Sequence, residues 1–135
     1  MNIKLKLIVL LFFSAVINTL ALSIDSATDY YNEFSQFISS GNEQSAYSIL
    51  YKCYEANSKK LTSATTNSPT ELQTKNILKN IFPYLEKAAY YYSSQNDQVK
   101  TQQFASAYIL LANLPDIKEE LTPSSNYIML CKVAA

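Results

Sequence analysis

The chain has 135 residues, 11 basic against 11 acidic, and contains no histidine. The balanced charge and the lack of any Lys/Arg block remove the electrostatic attraction that nucleic-acid binding draws on. Without histidine, the side chain most used as a general base and as a zinc ligand is missing, and classical triads go with it. Gly41 is the single glycine, which leaves no phosphate-cradling loop of the P-loop or Rossmann kind. Serines, lysines and carboxylates are scattered along the chain, and no spacing singles out a Ser-Lys or paired-carboxylate set. The expectation is therefore a noncatalytic segment with no cofactor and no metal site.

In chain order, Lys4 and Lys6 precede the apolar run Leu7 to Ile17, and Thr19-Leu20-Ala21 suits a peptidase. This is the pattern of a secretory signal peptide over residues 1–21. The apolar run is shorter than the roughly 20 residues a membrane span needs, so cleavage near Leu22 is preferred to a retained anchor. The expected product is a small exported domain, periplasmic or extracellular, with no stable membrane anchor.

Residues 22–57 read as a first helical hairpin. Ser26 can cap a helix, Asp29 suits the positive end of its dipole, and Tyr30, Phe34, Phe37 and Ile38 recur on one face. Ser39-Ser40-Gly41-Asn42 ends that helix, with Gly41 fit for the left-handed position after it. Ala46, Ile49, Leu50, Cys53 and Tyr54 form the stripe of an antiparallel partner. Residues 58–68, rich in Ser, Thr, Asn and Lys, read as an exposed linker.

Residues 69–114 read as a second hairpin. Ser68-Pro69-Thr70-Glu71 combines a capping serine, a proline at the first helical position and a capping-box glutamate. Ile77, Leu78, Ile81, Phe82, Leu85, Ala88, Ala89 and Tyr92 carry a stripe to the turn Ser93-Ser94-Gln95-Asn96. Pro83 predicts a kink, or a break into two shorter helices. Val99, Phe104, Ala107, Tyr108 and Leu111 mark the returning helix, closed by Leu114-Pro115. Over residues 115–135, Thr122-Pro123 reads as the next cap, with Tyr127, Leu130 and Cys131 opening a further helix. The apolar face of that helix has no partner in the chain, which suggests a longer protein.

These pairs resemble a divergent tetratricopeptide repeat array of a secreted bacterial protein, a family of helix pairs with a period of about 34 residues. Tyr30, Phe37, Gly41, Ala46, Leu50 and Cys53 fall at its packing and turn positions in the first pair. Leu85, Ala88, Ala89, Tyr92 and Asn96-Asp97 do so in the second, and Phe104 and Ala107 match if the turn is shortened by one residue. Glu33 and Phe34 depart from the family's apolar and small pair, and the Gly41 to Asn96 spacing exceeds its period by roughly 20 residues.

The resemblance implies an all-α fold in which antiparallel helix pairs stack as a short α-solenoid, whose concave face binds peptide segments. By position, Tyr31, Ser35, Glu86 and Tyr90 would face that groove. In the oxidising compartment that export implies, Cys53 and Cys131 could close one disulfide; their placement in non-adjacent repeats favours two free thiols. Three functions follow. The first is an exported interaction module holding another protein or a downstream domain of its own chain. The others are the N-terminal arm of a secreted enzyme whose chemistry lies beyond Ala135, and a small helical carrier with an apolar pocket around Phe82, Tyr92 and Phe104.

Overall fold

The computed structural model describes residues 26–63 and 68–135, and these are all-helical: α1 (26–39), α2 (Glu43–Ser63), α3 (Pro69–Ser94), α4 (Gln98–Ala112) and α5 (Tyr127–Ala134), with a 3-10 turn at Lys118–Glu120 between the last two. The signal-peptide expectation for residues 1–21 and the cleavage point before Leu22 lie outside the described residues.

Two turns of the same construction join α1 to α2 and α3 to α4. At the first, Gly41 takes φ 74°, its N–H donates to Ile38 O (3.1 Å), and Asn42 N–H donates to Phe37 O (2.9 Å). At the second, Asn96 takes φ 58°, its N–H donates to Ser93 O (3.1 Å), and Asp97 N–H donates to Tyr92 O (3.0 Å). Both satisfy the orphan carbonyls of the outgoing helix in the Schellman manner. The next residue then caps the incoming helix. Asn42 Oδ1 accepts from Ser45 N–H (3.2 Å) and Asp97 Oδ1 from Lys100 N–H (3.1 Å). Because the two turns are equally long, the one-residue shortening invoked for Phe104 and Ala107 does not occur. Counted from the caps, Ala105 and Tyr108 stand where Leu50 and Cys53 stand. All four α4 residues are buried because α4 lies against both α3 and α5.

Helix α3 packs against α2 on one side and α4 on the other. Its buried residues Thr74, Ile77, Leu78, Ile81, Phe82, Leu85, Ala88, Ala89 and Tyr92 trace a broad stripe at three- and four-residue steps. Its start follows the cap chemistry: Ser68 Oγ accepts from Glu71 N–H (3.1 Å), and Pro69 occupies the first turn. Pro83 does not divide the helix, which runs unbroken to Ser94. The proline sits on the exposed side, where the carbonyl left without a donor can be hydrated, while Ile81, Phe82 and Leu85 hold both halves in one core.

Two other boundaries differ from the sequence expectation. The polar stretch after Asn57 is not a linker down to Ser68: α2 continues through it to Ser63. Asn57, fully buried, donates through Nδ2 to Cys53 O (2.8 Å) and to Ala27 O (3.2 Å), which ties α2 to α1, and Leu61 is buried one turn further on. Lys59 and Thr62 lie on the exposed side of this stretch of helix. At the other end, Thr122-Pro123 starts no helix; α5 begins at Tyr127. The preceding segment is held to α4 instead, with Ser124 N–H donating to Tyr108 Oη (2.8 Å) and Asn113 Nδ2 to Tyr127 Oη (2.9 Å). The face of α5 expected to lack a partner is half covered. Leu130 is buried, while Ile128 (72% exposed), Met129 and Val133 face outward.

Aromatic rings fill the centre. Phe82 stacks on Tyr108 at 4.2 Å and Tyr92 on Phe104 at 5.5 Å, so the rings proposed to line a carrier pocket pack against neighbouring aromatics. Cys53 and Cys131 are free thiols, on α2 and α5 respectively, and no disulfide joins them. Burial pushes the Cys53 thiol up from 9.0 to about 12, against a smaller lowering by its hydrogen bond from Asn57.

Three expectations follow from this packing. A Cβ at Gly41 would meet nothing within 4 Å, so Gly41→Ala costs only the left-handed backbone, about 1 kcal/mol in urea unfolding, whereas Asn96→Gly is neutral or mildly stabilising. Ala89→Phe overpacks a residue 2% exposed and lowers stability by roughly 1–3 kcal/mol; an unchanged melting temperature would mean that the helices there have slack. For Cys53, the unfolded thiol ionises from pH 9 while the folded one keeps its proton to about 12. The unfolded state then binds fewer protons, and stability falls by up to about 1.4 kcal/mol per pH unit across that window. Unfolding free energies at pH 8, 9 and 10 measure this slope. Cys53→Ala should flatten it over this range, most clearly below pH 10, before tyrosines ionise.

Candidate protein-binding surface

The four residues assigned to a groove by position fall into two clusters. Tyr31, half-buried on α1, accepts a hydrogen bond from Asn80 Nδ2 on α3 (3.0 Å), and Phe34 meets Tyr84 edge-on at 5.2 Å. These contacts set α1 beside α3. Ser35, one turn after Tyr31, is half-buried. Glu86 and Tyr90 lie nearer the other end of α3. Glu86 Oε1 accepts from Asn126 Nδ2 (3.2 Å), which draws the start of α5 to α3. The Tyr90 hydroxyl is pushed up first by partial burial and then by the Glu86 carboxylate one turn before it. Tyr90 is 38% exposed; Tyr91 lies against Tyr47 at 5.3 Å, and Tyr92 faces the core. The run Tyr90-Tyr91-Tyr92 thus divides between surface, seam and interior. The hydrogen bonds of Tyr31 and of Glu86 run to different partners, Asn80 and Asn126, and do not join the two clusters.

A hollow of about 430 Å³ lies between α1 and the first half of α3. Tyr31 and Asn32 line it from α1, and Leu72, Gln73, Asn76, Ile77 and Asn80 from α3. Of the four residues chosen from the sequence, Tyr31 alone lines it. Leu72 is 64% exposed at its rim, and Ile77 is buried at its floor. No lining residue carries a charge at neutral pH. Of the charges that flank the hollow along α3, Glu71 and Lys75 pair with each other at 3.2 Å and Lys79 with Glu120 at 3.6 Å. The signal for this surface was present in the chain: Gln73, Asn76 and Asn80 recur at three- and four-residue spacing and therefore share one face of α3. Outward amides on an amphipathic helix read as a wet side, and only the approach of α1 turns them into a wall.

A second hollow, about 490 Å³, opens between the start of α1 and α2. Lys52, Glu55, Lys59 and Lys60 line it together with Tyr30. Its charges are of both signs and sit on a solvated helix, where water competes for each of them. Among the described residues, no group of histidine, cysteine and carboxylate side chains is placed to hold a metal ion, and no helix is long and apolar enough to cross a membrane.

The all-helical fold with helices packed in succession is compatible with a helical repeat. A scan against protein-family models finds no match, and searches of curated proteins and of solved structures find none either.

Proposed function

We propose that this chain is an exported, noncatalytic interaction module, a short solenoid of helix pairs in the tetratricopeptide manner that holds a segment of another polypeptide. The observation that carries the reading is the alignment of α1 beside α3 by the Tyr31–Asn80 hydrogen bond and the Phe34–Tyr84 contact. It brings the first helix of each pair to one side and leaves a hollow between them. The repeated turn supports the same reading, since two hairpins closed by equivalent caps present equivalent faces. Export is supported by the pattern of residues 1–21. The packed rings of Phe82, Tyr92 and Phe104 weigh against a carrier, and no observation favours an enzyme arm over the module.

Selection of random displayed decapeptides on the full chain tests this. Enriched peptides are expected to lose about tenfold in affinity or more with Tyr31→Ala, at unchanged circular dichroism, and to be indifferent to Leu110→Ala on α4. Failure to enrich any peptide would remove the protein-binding reading. Enriched peptides sensitive to Leu110→Ala alone would move the binding face to the opposite side.

A further inference from the structure

We infer that the hollow between α1 and α3 takes an uncharged, extended stretch of polypeptide and recognises it through its backbone. This rests on the protein-binding reading and specifies the ligand. A carboxamide offers two donors and an acceptor, so one side chain can bond both the C=O and the N–H of peptide units; a carboxylate only accepts and an ammonium only donates. Gln73, Asn76 and Asn80 form a row on α3, and Asn32 faces them from α1. From Gln73 to Asn80 the row rises about 10 Å along the helix, the length of about three residues of extended chain.

These groups are available for a ligand. The side chains of Asn32, Gln73 and Asn76 make no hydrogen bond within the described residues. Asn80 uses Nδ2 on Tyr31, which leaves its own Oδ1 to accept and the Tyr31 hydroxyl hydrogen to donate.

Charge and apolar surface narrow the class. A charged ligand side chain entering this hollow would lose water and find no counter-charge among the lining residues, none of which is ionised. Leu72, 64% exposed beside the buried Ile77, supplies an apolar contact. A small apolar side chain on every second residue of an extended strand would meet it, whereas a sugar presents mostly hydroxyls there. The occupant is therefore a neutral peptide segment with apolar side chains.

Two displayed decapeptide libraries test the inference on the full chain, one lacking Asp, Glu, Lys, Arg and His and one enriched in them, with a glycan array in parallel. Binders are expected from the neutral library. They should weaken by about tenfold or more in the variant combining Asn32→Ala, Gln73→Ala and Asn76→Ala, all exposed positions, with the melting temperature unchanged. Asn76→Asp alone, which keeps size but removes two donors, should weaken them by a smaller factor. Binders confined to the charged library would overturn the neutral-ligand assignment, and neutral binders indifferent to the triple variant would overturn the carboxamide row; either result leaves the protein-binding reading standing. Glycan binding with no peptide enriched from either library would remove both.

Discussion

The three-residue turn that closes each hairpin is the constraint on which the rest of this molecule depends. At Gly41-Asn42 and at Asn96-Asp97 the chain leaves one helix and is capped into the next without an intervening loop. A left-handed residue followed at once by a capping side chain reverses the chain, so α2 runs back along α1 and α4 back along α3. Both helices of a pair then bury facing stripes by default. What differs between the pairs is how many neighbours each helix must also cover.

That difference falls on α3 and α4. Helix α3 is covered on two sides and buries nine residues, four of them in its first half: Thr74, Ile77, Leu78 and Ile81. Helix α4 lies between α3 and α5, so Phe104, Ala105, Ala107, Tyr108 and Leu111 cover a wide arc of it. The aromatic content is used accordingly. Phe82, Tyr92, Phe104 and Tyr108 form stacked pairs in the interior, and the Tyr108 hydroxyl still reaches the Ser124 amide at the edge. Tyrosine suits this position because one end is apolar and the other accepts a hydrogen bond.

What was legible in the chain follows from the range of the forces involved. Ser68-Pro69, Gly41 and the α3 stripe act within one or two helical turns, and their effects could be read directly. Asn57 could not be read as buried, because one of the two carbonyls that accept from its Nδ2, that of Ala27, is 30 positions away. Leu61 stands alone among polar neighbours in the sequence, so no apolar stripe marks it as buried. Asn96 was readable as a turn residue, but that its turn matches that of Gly41 depends on the outgoing carbonyls of Tyr92 and Ser93. Thr122-Pro123 has the local chemistry of a helix start, yet the hydrogen bonds from Asn113 and to Tyr108 hold the segment extended along α4 until Tyr127. The candidate surface was hidden in the same way. Tyr31 is singled out by the resemblance to a repeat family, while Asn32, Gln73 and Asn76 gain meaning only when α1 stands opposite α3.

The position of that surface follows from helix length. In an array of period about 34, each helix has room for roughly a dozen residues, but α2 has 21 and α3 has 26, against 15 in α4. The residues by which the Gly41 to Asn96 spacing exceeds the family period are therefore built largely into α2 and α3. Helix α3 is about 39 Å long and α4 about 22 Å, and α4 starts at the shared turn beside the end of α3. The first three turns of α3 consequently extend past α4 and are flanked by α1 and α2. Leu72, Gln73 and Asn76 lie on this overhang, and the hollow is bounded there by Tyr31 and Asn32. The length of α3 thus supplies one wall of the hollow, and a helix as short as α4 would carry no row of carboxamides at this place.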